Sequence, residues 1–325
     1  MRLLSMSLLA ALAWGAGAPE PALLIVEKVA SAVGFYTADG RRVAGFPVGK
    51  TPHEVVRSPD GRFAYVSDNG ILWMTDAGQG GNTISVVDLR ARRSGGVIDL
   101  GAYRRPHGMD VDPRTGRLVC TIENPDGLLL IDPAARRVLR KYDVQGRAPH
   151  MVVLGPGAEY AYVSNTGTHT VAAVHLASGR VKLIPTDEGP QGGVLSRDGA
   201  RIYLTNGQGN SISIIDTARQ ERVGVIRTGR GPNRIALTPD GQTLVYSLGE
   251  GHGVGFADVA SGRETLQLGL GGRAMSLSLS RDGRWAYVGV QDQDKVFVIS
   301  VPERKLARVI QTPKGAGPDP ALPLD

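Results

Sequence analysis

Cysteine is almost missing from this sequence: Cys120 is the only one in 325 residues. That excludes an internal disulfide framework and any zinc or iron-sulfur site built on clustered thiolates. Helical periodicity is missing too, because beyond the first residues no segment sustains apolar positions at helical spacing. No later run is apolar and long enough to cross a bilayer. There is no Gly-x-Ser-x-Gly elbow, so a serine hydrolase of that type has no support. Gly249 to Gly255 has spaced glycines but no following helix, and Asp292-Gln293-Asp294 lacks the glycine and terminal glutamate of a calcium loop. Neither a phosphate loop nor a calcium loop is indicated.

Glycine is what the chain has in excess, at 44 of 325 residues, nearly twice the usual ~7%. With 42% hydrophobic residues there is material for a large core, so these glycines serve a folded chain with many turns. The net charge is +6.

The first residues read as a secretory leader. Arg2 precedes the apolar run Leu3 to Trp14, and Ala16-Gly17-Ala18 has the small-residue cleavage pattern. The run is shorter than the about 20 residues a membrane span needs. The expected division is a signal peptide over 1–18 and one domain over 19–325, in a periplasmic or secreted protein. No cysteine follows the apolar run, so a lipoprotein anchor is excluded.

A repeat organises everything else. Each copy has a Pro-centred start, an apolar segment, an Asp-Gly-type turn, a second apolar segment ending in Ser/Thr and often Asn/Asp, and a third ending in Asp. The fourth copy is the cleanest: Gly189-Pro190-Gln191, Asp198-Gly199, Tyr203-Leu204-Thr205-Asn206 and Ile212-Ser213-Ile214-Ile215-Asp216. The copies begin near residues 52, 106, 149, 190, 232, 273 and 318. A spacing of about 40–45 residues with short β-branched strands marks four-stranded propeller blades. The seventh copy is split. Ala316-Gly317-Pro318 opens a blade that the C-terminus leaves unfinished, while residues 22 to 46 supply three strands with no opening strand before them. The fold class is therefore all-β: a seven-bladed propeller of four-stranded antiparallel blades, closed by a C-terminal innermost strand on three N-terminal ones.

These copies resemble the YVTN-type β-propeller family in Tyr203-Leu204-Thr205-Asn206, in Tyr162-Val163-Ser164-Asn165, and in the stretches Asn82 to Asp88 and Asn210 to Asp216. The resemblance covers residues 22 to 325. It implies the fold and leaves function open, because similar propellers include surface-layer and periplasmic binding proteins, lactonase-like enzymes and haem d1-binding proteins.

In such a ring, the loops entering the innermost strand and those leaving the second strand meet at one mouth of the central channel. The positions after each opening proline are read as His53, His107, His150, Gln191, Asn233, Ala274 and Asp319. Three of the chain's six histidines fall there, in consecutive blades. Converging imidazoles suit a divalent transition metal with an open coordination position, which makes His53, His107 and His150 candidate metal ligands. The alternative is that each ring only hydrogen-bonds a neighbouring loop. Second-strand ends add Glu27, Asp68, Glu123, Asn165 and Asn206 as further ligands, with Glu27 and Glu123 as candidate bases. The first copy is longer than the others by a loop, Gly70 to Gly81, which carries Ile71-Leu72-Trp73-Met74 and should overhang the mouth beside His53. Trp73 joins Gln191, Asn233, Asp319, Asp68, Asn165 and Asn206 as candidate ligand-binding residues.

The leading expectation is a monomeric binding or interaction scaffold for a small ligand or an envelope or secreted protein. A metal-dependent lactonase or lyase is the first alternative, and a haem-binding propeller of the d1 type the second. The arginine pairs Arg41-Arg42, Arg92-Arg93 and Arg136-Arg137 fall at third-to-fourth-strand hairpins on the rim opposite the histidines. They lack interleaved aromatics, so they read as solvated turn charge and not as a nucleic-acid site.

Overall fold

A computed structural model describes Glu20 and residues 22–325. The expected leader, 1–18, lies outside the described residues. The chain forms seven four-stranded antiparallel sheets. Blades one to six begin with the innermost strands Pro52–Arg57, Arg104–Val111, Pro149–Leu154, Pro190–Leu195, Pro232–Leu237 and Ser278–Leu279. Blade seven is closed as the split copy requires. Pro318–Pro323 is its innermost strand and pairs with Leu23–Glu27, which is followed by Ala32–Tyr36 and Arg42–Pro47.

Neighbouring blades bury one another's faces, which explains why second and third strands are apolar without strict alternation. Tyr65, Ile84 and Ile98 of blade one pack on Met109, Leu118, Cys120 and Ile131 of blade two. Leu24, Val26 and Phe35 of blade seven pack on Ala64, Val66 and Val87 of blade one. Leu23, Ile25 and Ala321 meet Tyr287, Val296 and Val298 of blade six. Cys120 is fully buried, and burial pushes its thiol up to about 12, so it behaves as the small core hydrophobe its position suggests.

The first hairpin of most blades is set by a Ser/Thr-x-Asp-Gly turn. Ser196 Oγ donates to Asp198 Oδ1 at 2.6 Å, the Ala200 amide donates to the same oxygen at 3.0 Å, and Gly199 takes φ +72°. That left-handed value strains any residue with a Cβ, which accounts for the glycine. Hydroxyls at the second-strand ends tie blades two, three and four each to the next. Thr121 Oγ1 donates to the His150 carbonyl (2.7 Å), Ser164 Oγ to the Gln191 carbonyl (2.7 Å) and Thr205 Oγ1 to the Asn233 carbonyl (2.6 Å). The residues so anchored are those lining the mouth.

The arginine pairs start from hairpins on the opposite rim, and some of their side chains are engaged, that of Arg42 reaching back along its blade to Glu27. Arg42 Nε donates to Glu27 Oε1 at 2.8 Å, Arg92 pairs with Glu20 at 2.8 Å, and Arg136 donates to the Gly95 carbonyl at 2.5 Å.

Candidate functional site at the channel mouth

Strand register decides which side chains reach the mouth. Pro52 pairs with Asp68, Pro106 with Ile122, Pro149 with Asn165, Pro190 with Asn206, Pro232 with Leu248 and Ala274 with Val290, always sixteen residues on. Two sequence readings shift by one residue. Ala274 occupies the place of the opening proline, so Met275 is the seventh mouth residue, and Asn233 Nδ2 lies 3.9 Å from its sulfur. Glu123 is one place beyond the other second-strand ends. Because side chains alternate along a strand, this puts it on the opposite side from Asp68, Asn165 and Asn206.

Those three point into their own blades and brace the third strand. Asp68 Oδ2 accepts from Thr83 (2.7 Å) and Ser85 (2.8 Å). Asn206 Nδ2 donates to Ser211 (3.0 Å) and Ser213 (2.9 Å), and Asn165 Nδ2 to Thr170 Oγ1 (3.4 Å) and also to the Val144 carbonyl before its blade (3.3 Å). Glu27, in the same register, is held by the Tyr36 hydroxyl (2.7 Å) and Arg42 (2.8 and 3.0 Å). Of the five acids and amides expected beside the histidines, the structure brings only Glu123 there. The residues in the register of Glu123 in other blades, Lys28, Asn69 and Gln291, are the ones that sequence reasoning passed over. Counting seventeen residues from Pro52 and Pro106 reaches Asn69 and Glu123 alike.

The three histidines form one buried row, with exposures of 4%, 3% and 6% for His53, His107 and His150. Ring centroids are 4.6 Å apart for His53 and His107, and 4.1 Å for His107 and His150. The hydrogen bonds run in a chain. His53 Nε2 is 2.7 Å from the Ile71 carbonyl, His53 Nδ1 is 3.2 Å from His107 Nε2, and His107 Nδ1 is 2.7 Å from Glu123 Oε1.

The proton count follows from the end of that chain. A carbonyl only accepts, so His53 carries its hydrogen on Nε2. Neutral His53 then accepts at Nδ1 from His107 Nε2–H, which leaves His107 Nδ1 an acceptor facing Glu123. Either Glu123 is protonated and donates, or His107 is an imidazolium beside a carboxylate. Burial decides for the neutral arrangement: it holds His107 well below the ordinary histidine range, takes His53 down to about 3, and pushes Glu123 up to about 7. Arg105, 3.5 Å from Glu123 Oε2, pulls the other way and is the weaker influence.

Charged pairs surround the row. Lys28 Nζ is 3.0 Å from Asp319 Oδ2, and Arg234 meets Glu54 across the channel. Over them lies the loop between Asn69 and Gly81. Its Ile71 carbonyl caps His53, and its Trp73 ring has Lys28 Nζ and Arg273 Cζ each 5.3 Å from the centroid. Arg105 Nη2 donates to the Asp76 carbonyl, and Gly81 O accepts from the Arg105 amide at 2.8 Å. The loop thus reaches from blade two to the start of blade six. Gln191 and Asn233 line a shallow groove with Gln208, Glu250, Arg273 and Met275 beside it.

Three buried polar atoms near the row lack hydrogen-bond partners: His150 Nδ1, Glu123 Oε2 and Asn69 Nδ2. Among the described residues no three His, Cys, Asp or Glu side chains are arranged to hold a metal ion. His53 and His107 spend facing nitrogens on each other.

No protein-family model and no curated protein sequence matches this chain. Solved structures do match it in fold. A functionally unknown protein from Desulfotomaculum acetoxidans is 14% identical with a TM-score of 0.78, covering 93% of this chain and 98% of its own. The periplasmic gluconolactonase of Pseudomonas aeruginosa is 18% identical with a TM-score of 0.74, at the same coverages of 93% and 98%. A dihydro-haem d1 dehydrogenase is 17% identical with a TM-score of 0.69, covering 94% of this chain and 76% of its own. At such identities the likeness concerns the fold, and the protein is a seven-bladed β-propeller.

Proposed function

We propose that this is an exported, YVTN-type binding propeller whose ligand sits at the mouth over His53, His107 and His150, where the 70–81 loop lies. The observation that carries this reading is a buried mouth with polar atoms short of partners: His150 Nδ1 has none, and Glu123 Oε2 has only Arg105 at 3.5 Å. Leaving a buried donor or acceptor unpaired costs about 1–3 kcal/mol, and a ligand at the mouth would relieve His150 Nδ1. The leader over 1–18 supports export to the periplasm or beyond.

A metal is the second reading. It draws on the 3.2 Å between His53 Nδ1 and His107 Nε2, near the ~3.3 Å edge of a tetrahedron with ~2.0–2.1 Å metal–nitrogen bonds, and it requires His107 Nε2 to give up the hydrogen it shares with His53. It needs the His150 ring to turn toward that edge. A lactonase-like or lyase-like activity would then have Glu123 as its base, since Glu27 is tied up by Tyr36 and Arg42. The Pseudomonas and haem d1 neighbours keep the enzyme and haem readings within the same fold.

The deciding experiment is native mass spectrometry, metal analysis and a visible spectrum of protein purified from its own host, beside a His53→Ala/His107→Ala/His150→Ala variant. A stoichiometric small molecule, metal or chromophore present in the wild type and lost in the variant is the expected result. A mouth that is empty in both overturns the proposal.

A further inference from the structure

We infer that the 70–81 loop occupies its own ligand's place, and that the mouth takes a small aromatic monocarboxylate when the loop withdraws. This rests on the reading of the mouth as a binding site and adds the chemical class of the ligand.

The loop presents two groups to the mouth, two residues apart in the chain. One is an acceptor oxygen, the Ile71 carbonyl, 2.7 Å from His53 Nε2. The other is a flat ring, Trp73, with Lys28 and Arg273 each 5.3 Å from its centroid. A molecule carrying an acceptor oxygen within that reach of an aromatic ring reproduces both contacts.

Charge narrows the class. Asp319 has Lys28 and Glu54 has Arg234 as its cation, while Glu123, protonated in the neutral chain, leaves the charge of Arg105 in place. Arg273 has the Trp73 ring and, among the described residues, no carboxylate within ion-pair distance. Positive charge left over at the mouth suits an anionic ligand. A carboxylate oxygen on His53 Nε2–H also makes a charge-assisted bond, roughly twice as strong as the amide carbonyl's. The ligand therefore outcompetes the loop on charge while matching it on shape.

The loop can leave without dragging the blade with it. Gly81 N donates to Asn69 O at 2.6 Å, so the two ends already touch, and Trp73 and Asp76 close a turn of their own through bonds of 2.8 and 3.0 Å. Self-occupancy lowers apparent affinity by the fraction of molecules with the loop withdrawn. Removing the loop's contacts should therefore tighten binding.

The test is calorimetric titration of the full chain with phenylacetate, phenylacetamide and acetate, for wild type, Trp73→Ala, Arg273→Ala and a variant in which residues 71–79 are replaced by two glycines. Expected are at least tenfold tighter phenylacetate binding for Trp73→Ala and the shortened loop, and tenfold weaker binding for Arg273→Ala. Phenylacetamide and acetate should each bind at least tenfold more weakly than phenylacetate. If the shortened loop fails to fold, Trp73→Ala carries the comparison. Equal affinities for phenylacetate and phenylacetamide, or no gain in Trp73→Ala, overturn the inference. If phenylacetate fails to bind while a host-derived ligand is found at the histidines, the class is wrong and the site stands. If both are lacking, both proposals fall.

Discussion

Glu54 and Arg234 lie 180 residues apart in sequence and meet inside the channel, where Arg234 Nε donates to Glu54 Oε1 at 3.0 Å. They come from blades one and five, so the pair bridges the ring across its axis just inside the mouth. Burial raises the Glu54 carboxyl and the Arg234 charge opposes that rise, so each charge depends on the other.

Removing one member should be far worse than removing both. Glu54→Ala should lower unfolding free energy by about 3–5 kcal/mol, because it strands a buried guanidinium. A Glu54→Leu/Arg234→Met double variant should recover most of the loss. Chemical denaturation of the three proteins measures this, and a double variant worse than the single would refute it.

Glu123 should make stability fall with rising pH. Its folded value of about 7 lies above the ordinary glutamate value of 4.5. Its contribution is therefore whole below pH 4.5 and lost as pH rises through 7. Asp68 and Asp110, raised to about 6, act in the same direction at lower pH. The histidines act oppositely: with His53 down at about 3 against an ordinary 6.5, their share is present above pH 6.5 and lost on acidification. Glu123→Gln isolates the first effect, since its amide can donate to His107 as the protonated acid does. The stability advantage of Glu123→Gln in chemical denaturation should be near zero at pH 5 and grow toward pH 8, reaching on the order of 2 kcal/mol. A difference independent of pH would contradict the neutral chain.

Asn206 braces the third strand of its blade through Ser211 and Ser213. Asn206→Ala leaves the Ser211 and Ser213 hydroxyls short of a partner and should cost about 1–3 kcal/mol in urea denaturation. Ligand or metal content measured on the same sample should stay unchanged. Loss of the bound species with intact stability would reverse that assignment.

Deleting residues 318–325 should abolish the ring's cooperativity. The strand Leu23–Glu27 would keep an unpaired edge, and unpaired edges self-associate. Size-exclusion chromatography should show oligomers and the melt should broaden. A monomer with an unchanged sharp transition would argue against closure as a source of stability.

The repeat made the architecture readable. Prolines, Asp-Gly turns and the split seventh copy identified every blade, because each needs particular backbone chemistry at a fixed offset. The histidine row was readable for the same reason, since His53, His107 and His150 follow prolines in register. What escaped was orientation. Asp68, Asn165 and Asn206 look like Glu123 as types, yet a one-residue difference sends them to opposite sides of a strand. The Ala274 slip has the same origin: without a proline to mark the register, Arg273 was taken for the opening residue in place of Ala274. The hold of Trp73 on Lys28 and Arg273 depends on three blades coming together, and no local pattern encodes that.

Closure of blade seven also imposes an order in time. Leu23 pairs with Pro323, so one of the first residues of the domain to be synthesised finds its strand partner only when nearly the last has emerged. Until then the ring stays unlocked, so closure is the last step the growing chain can take.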